Sequence, residues 1–170
     1  MQFLWVLATF TVSAIAGLTN HTVDDSSTNI NYYSNPQLVN PLECQGVECS
    51  GTVDILGLDF NQLNGNTVSI FASVPNPGVN GTGFQFFFTG TAVYIFIAIP
   101  PASIHYPTGV NAIPSIDGQV VPGGSFTVHA TSVAQYAFCA FSATGLADVP
   151  HAFQLDTEGT AVIFDYAIWT

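Results

Sequence analysis

The 170-residue chain contains no lysine and no arginine. Against 11 aspartates and glutamates this leaves a formal charge of −11 at pH 7, and four histidines are the only side chains able to become cationic. Nucleic-acid binding is excluded on that ground, because it requires cations that displace phosphate counterions. A Walker lysine, a Schiff-base lysine, an arginine finger and a polybasic membrane patch are excluded with it. Charged residues reach only 6%, where ordinary soluble domains carry about a quarter. The chain is nevertheless 48% hydrophobic and 13% aromatic, which opposes disorder and favours a packed core.

Catalytic patterns are missing too. There is no G-x-S-x-G elbow, no H-E-x-x-H, and no glycine-rich loop between a strand and a helix. The glycine-rich stretch Asn76–Gly83 leads into a strand pattern, which makes it a loop tip and not a phosphate cradle. Eleven acids offer many pairs for glycosidase chemistry, but no spacing selects one. The expectation is a protein that is not an enzyme.

Residues 1–16 form a short apolar run closing on Ala14-Ile15-Ala16, a small-x-small secretory cleavage pattern whose only positive charge is the amino terminus. The run is too short to span a bilayer. It reads as a signal peptide, leaving residues 17–170 as one domain able to bury roughly 70% of its unfolded surface. Two sequons, Asn20-His21-Thr22 and Asn80-Gly81-Thr82, agree with secretion and nominate Asn20 and Asn80 as glycan acceptors. Cys44 and Cys49, separated by four residues in a polar stretch, are expected to form a disulfide in an oxidising compartment. A zinc site would need two further ligands, and no Cys or His pair is spaced to supply them. Cys139, in an apolar alternating run, is expected to be a buried thiol.

Asn, Gly, Pro and Ser punctuate the chain often, and helical periodicity is essentially missing. Strands are read near 29–34, 68–74, 84–88, 92–99, 113–117, 125–130, 135–141, 152–156 and 161–169. This predicts an all-β fold of two packed sheets. The run 84–99 is too broken by Thr89-Gly90-Thr91 and too rich in aromatic and β-branched residues for a lipid-spanning helix, and it reads as two consecutive core strands or one strand bent at Gly90. In the last strand, alternation places Val162, Phe164, Tyr166 and Ile168 on one face and Ile163, Asp165, Ala167 and Trp169 on the other, and Trp169 is expected to pack in the core. No hydrophobic tail or GPI pattern follows, so no transmembrane anchor is expected after signal cleavage.

Without lysine or arginine, no acid has an ordinary salt-bridge partner. Each must be solvated, hydrogen-bonded, or matched by a cation from outside. Asp24-Asp25, beside Ser26, Ser27 and Asn29, offers hard oxygen ligands of the type Ca²⁺ prefers; the alternative is a turn or strand cap.

Several segments, in this order, resemble a set of fungal secreted and membrane-anchored proteins. They are Thr22-Val-Asp-Asp25 with an Ile30-x-Tyr32 strand, Phe88-Thr-Gly-Thr-Ala-Val-Tyr-Ile95, Ser115-Ile-Asp-Gly118, Gly145-Leu146 with Pro150-His151, and Phe164-Asp-Tyr-Ala-Ile-Trp-Thr170. The ectodomain of that set is a galactose-binding-domain-like jelly roll. The resemblance implies a single-domain β-sandwich of about eight strands with its terminal strands adjacent. It also implies carbohydrate binding, and a structural Ca²⁺ near the terminal strands that would bring Asp24 or Asp25 toward Asp165. The chain departs from its relatives in lacking a tryptophan after the first strand, where only Tyr32 and Tyr33 stand, and in having no linker and transmembrane helix.

The functional expectation is a secreted, non-catalytic, lectin-like module for a neutral cell-wall or extracellular glycan. Its site is expected on loops at one end, with His105, Tyr106, Asn111, Tyr33 and His151 as candidate contacts. The alternatives are a structural or adhesion protein of the extracellular matrix that binds protein or itself, and a glycosidase or lyase with two acids facing one groove.

Overall fold

In a computed structural model of the chain, residues 19–33, 37–39, 57–72, 82–102, 109–129, 132–157 and 161–170 are described. The expected signal peptide, Cys44, Cys49, Asn80, His105 and Tyr106 lie outside them. The strands are β1 (His21–Asp24), β2 (Asn31–Tyr32), β3 (Gln37–Val39), β4 (Val68–Ala72), β5 (Thr82–Ile99), β6 (Gly109–Ile116), β7 (Gln119–Val120), β8 (Phe126–His129), β9 (Gln135–Thr157) and β10 (Ala161–Trp169). Two 3₁₀ turns, Phe60–Gln62 and Asn64–Asn66, precede β4. The fold is all-β, as expected, with ten strands among the described residues where about eight were anticipated. None of the described helices is long and apolar enough to cross a membrane.

Of the two readings of 84–99, the single strand bent at Gly90 is the one found, and the expected strands 135–141 and 152–156 are likewise one continuous strand. β5 and β9 form a long antiparallel ribbon, Thr82 pairing with Thr157 at one end and Ile99 with Gln135 at the other. At its middle Gly90 pairs with Val149 and Ala92 with Thr144, so Gly145, Leu146, Ala147 and Asp148 stand opposite Thr91 alone. Such a bulge bends and twists a ribbon. Gly90 is fixed there by a close approach: a Cβ on it would sit 2.2 Å from the Thr170 carbonyl oxygen. The same carbonyl accepts from the Thr91 and Ala92 N–H groups, which ties the end of β10 to the bend.

Around this bent ribbon one antiparallel sheet curls into two layers, a jelly-roll β-sandwich. The first layer holds β3, β4, β10, the second half of β5 and the first half of β9, with β1 pairing on β10. The second holds β2, the first half of β5, the second half of β9 and β6, flanked by β7 and β8. Phenylalanines close the space between them. Phe84 of β5 lies 4.3 Å from Phe164 of β10, and Phe141 lies 5.6 Å from Phe153, in ring-centroid distance. Trp169, expected in the core, packs 6.0 Å from Phe86 and 6.4 Å from Phe88.

A second apolar cluster covers the outer face of the first layer. Leu58, Phe60 and Leu63 from segment 57–66 pack on Val68, Ile70, Ala98 and Ile163. Asp59 holds the first 3₁₀ turn by accepting from the Asn61 N–H at 3.0 Å, while its own N–H donates to the Tyr136 hydroxyl at 2.6 Å.

Two register shifts correct the simple alternation. Phe164 pairs with Ile97 but Tyr166 with Phe96, so Asp165 is an extra residue in β10. Beyond it the faces exchange, and Ala167 and Trp169 join Phe164 on the core side instead of opposing it. In β9, Ile95 pairs with Phe141 and Phe96 with Cys139, leaving Ala140 extra. Phe141 stays in the core while Cys139 turns outward, exposed and not buried as expected.

Candidate functional site

The three acids implicated by the sequence converge. β1 pairs with β10, Asp24 opposite Tyr166, and the Asp25 N–H donates to the Asp165 carbonyl at 3.0 Å. The bulge at Asp165 aims its side chain toward the 3₁₀ turns, where Oδ1 accepts from the Asn64 N–H at 2.9 Å. Gly65 lies against Asp24: with φ +59, a Cβ there would fall 2.7 Å from Asp24 Oδ2. Asp24 Oδ1 accepts from the Ser26 N–H and hydroxyl and from the Thr67 hydroxyl. Asp25 shares the Thr67 hydroxyl, at 2.5 Å, and takes the Ser69 hydroxyl at 2.9 Å, while its carbonyl accepts from the Tyr32 hydroxyl.

Asp25 and Asp165 are almost wholly buried, at 1% and 0% exposure. Burial is the main force that pushes each carboxyl up to about 7, opposed by the hydroxyl bonds at Asp25 and the Asn64 N–H at Asp165; the charge of Asp24 adds to both. Among the described residues, Asp24 Oδ2 and Asp165 Oδ2 are buried with no hydrogen-bond partner. Those orphaned oxygens suit a hard cation. No three His, Cys, Asp or Glu side chains among the described residues form a group able to hold a metal. Asp24, Asp25 and Asp165 thus lie together without forming a metal-holding group, and what they leave open to a cation is the two orphaned oxygens.

His151 serves a different purpose from the contact expected of it. It is buried, with Nδ1 2.8 Å from Asp117 Oδ2 and Nε2 2.9 Å from the Ala147 carbonyl. Both partners accept, so the doubly protonated ring is favoured. The Asp117 bond is the chief cause that raises the His151 pKa, followed by the Ala147 bond. Asp117 is lowered first by His151 and then by the Ala152 N–H. This pair corrects the expectation that no acid has an intrachain ionic partner. It ties the β9 bulge to the β6–β7 turn, where Asp117 adopts φ 53 and Gly118 φ 74, the left-handed conformation of a tight hairpin.

Among the other candidates, Asn20 is exposed just before β1, and the Asn111 backbone lies in β6 opposite Thr127. Tyr33 is exposed and sits beside β5 through its N–H to the Gly83 carbonyl at 3.1 Å. It lies on the outer face of the second layer, not on an end loop.

That face carries residues not singled out from the sequence. Phe84, Phe86 and Phe88 point into the core, which sends Gln85, Phe87 and Thr89 outward. Phe87 is 72% exposed. Asn31, Gln85 and Gln154 form one cross-strand row; Gly83 and Asp156 form the next, with Tyr33 at its end. Gln154 Nε2 donates to both Asp156 oxygens, at 3.1 and 2.8 Å. Tyr33 is close enough to Asp156 for that charge to add to the rise that burial causes in its hydroxyl pKa. The period-two pattern of 84–88 contained the signal: one Phe shares the Gln85 face, opposite the other three.

No family model matches the chain, and no curated protein matches it. Among the solved structures that match its fold are two that cover most of the chain. One is the Agl-KA catalytic domain, at TM-score 0.50 and 11% identity, covering 88% of this chain and 27% of that one. The other is the catalytic unit of a thermostable GH87 alpha-1,3-glucanase from Streptomyces thermodiastaticus strain HF3-3, at TM-score 0.50 and 13% identity, covering 90% and 26%. The chain thus spans about a quarter of the length of either.

Proposed function

We propose that this chain is a secreted, non-catalytic module that binds a neutral extracellular or cell-wall glycan. The observation that carries this reading is the open outer face of the second layer. Two exposed aromatic rings, Tyr33 and Phe87, flank the amides of Asn31, Gln85 and Gln154 and the carboxylate of Asp156. Sugars are recognised by that combination: an apolar ring face packs on an aromatic, and hydroxyls bond to amides and carboxylates. The resemblance to an alpha-1,3-glucanase unit is compatible with a polysaccharide ligand. Catalysis has less support, because Asp25 and Asp165 are buried and all three acids brought together are engaged by backbone or hydroxyl groups. A Ca²⁺ held by Asp24 and Asp165 would neutralise the orphaned oxygens and brace segment 57–66 against β1 and β10. Binding of the purified chain to an array of neutral glycans, with calcium present, tests the function. Retention on several related neutral glycans is expected, and none on the whole array overturns it.

A further inference from the structure

We infer that the open face binds the interior of a linear neutral polysaccharide, laid along β5, and not a terminal sugar. This rests on the glycan-binding reading and adds the class of ligand and its direction. Tyr33 is anchored beside Gly83, and Phe87 stands four residues further along the same strand. At 3.3–3.4 Å per residue, the two aromatic positions are about 13 Å apart along β5. One pyranose ring is shorter than that span, so no single sugar stacks on both. A chain of several sugars does, and its middle passes over the Gln85–Gln154 pair.

Small residues keep the path level. Gly83 carries no side chain between Tyr33 and Asp156, and Ala152 is the partner of Phe87. The polar groups beneath the path favour a neutral chain. Gln154 commits its amide donor to Asp156, leaving a carbonyl and a carboxylate to accept from sugar hydroxyls. Asp156 has no Lys or Arg to offset it anywhere in the chain, so a carboxylated or sulfated polymer meets an uncompensated negative charge.

The test uses the full chain, titrated by calorimetry with gluco-, manno-, galacto- and xylo-oligosaccharides of one to six units, and with oligogalacturonides as the acidic series. Affinity is expected to climb roughly tenfold or more between one and four units of one neutral series, then level off. Phe87→Ala and Tyr33→Ala are each expected to weaken the longer ligands roughly tenfold, the value of about 1.4 kcal/mol, and to leave monosaccharide binding almost unchanged. Because Phe87 is exposed, its variant should fold normally, and a melt confirms that. A monosaccharide that binds as tightly as its oligomers, variants with unchanged affinity, or acidic oligomers that bind equally well would each overturn the inference and leave the glycan-binding function standing. Failure of every neutral series to bind would remove both.

Discussion

The two layers of the sandwich treat their outer faces in opposite ways. On the first, Leu58, Phe60 and Leu63 lay a second apolar cluster over β4, β5 and β10. On the second, Tyr33 and Phe87 remain in solvent above a polar row. Both faces come from strands of similar aromatic and β-branched composition, so composition does not decide which is covered. Local sequence does. The 57–66 segment supplies three buried apolar groups, a capping Asp59 and a tie to Tyr136. The covered face also holds the awkward chemistry, since Asp165 lies beneath that segment with one oxygen unpartnered.

The largest expected effect exploits that difference by pH. A carboxyl whose folded pKa is raised binds its proton more tightly when folded, so stability is greatest below the unfolded value of 3.8. It falls as pH rises toward about 7 and is level above it. For Asp25 and Asp165 the cost reaches up to about 4 kcal/mol each. In chelator, denaturant melts should therefore show a loss of several kcal/mol from pH 4 to pH 8. Asp165→Asn should remove much of that slope. At the far end of the molecule the linkage has another shape. His151, raised, contributes fully below 6.5 and loses its contribution as pH climbs through its folded pKa; Asp117, lowered, contributes above 3.8 and loses it as pH falls through its folded pKa. A flat profile in wild type would show that the covered acids find partners the fold does not reveal.

A direct comparison of faces comes next. Phe60→Ala should cost about 3–5 kcal/mol in urea melts, the range for emptying a buried Phe site. Phe87→Ala should change stability by no more than about 0.5 kcal/mol, as exposed substitutions usually do. Equal losses would mean that the second face is as covered as the first.

These contrasts were only partly legible in the sequence. The all-β class and most strand positions followed from turn residues and alternation. The convergence of Asp24, Asp25 and Asp165 was implied by likeness to jelly rolls whose terminal strands are adjacent. What failed to show was anything decided by register. Gly90 reads equally as a strand end or as a bend, because the two carry the same local signal, and only pairing shows that it bends one ribbon opposite Gly145. The extra residues Asp165 and Ala140 break the alternation, so strict period two sets Trp169 opposite Phe164 although both face the core, and Cys139 beside Ala140 is exposed. β1 escaped notice because His21–Asp24 gains its strand character from β10, more than 140 positions away. The open face was hidden among phenylalanines, where one exposed ring looks like the three buried ones until pairing fixes its side.

The smallest expected effect separates the faces by ion. Two carboxylates completed by backbone and water oxygens resemble the weaker extracellular calcium sites, whose dissociation constants are about 0.1–1 mM. With 10 mM Ca²⁺ at the weak end of that range, mass action on the folded state contributes about 1.4 kcal/mol, a rise of roughly 3–6 °C in Tm for a domain of this size. The rise should be measured near pH 8, where Asp165 is ionised; at pH 5 protons occupy the same oxygens and the response should shrink. Asp165→Asn on the covered face should abolish it, whereas Asp156→Asn on the open face should leave it intact. If the two variants respond alike, the ion acts on the general surface charge of −11 and not on the orphaned pair. The covered face would then owe its buried acids to protons alone, and the chain would hold its fold best in acidic surroundings.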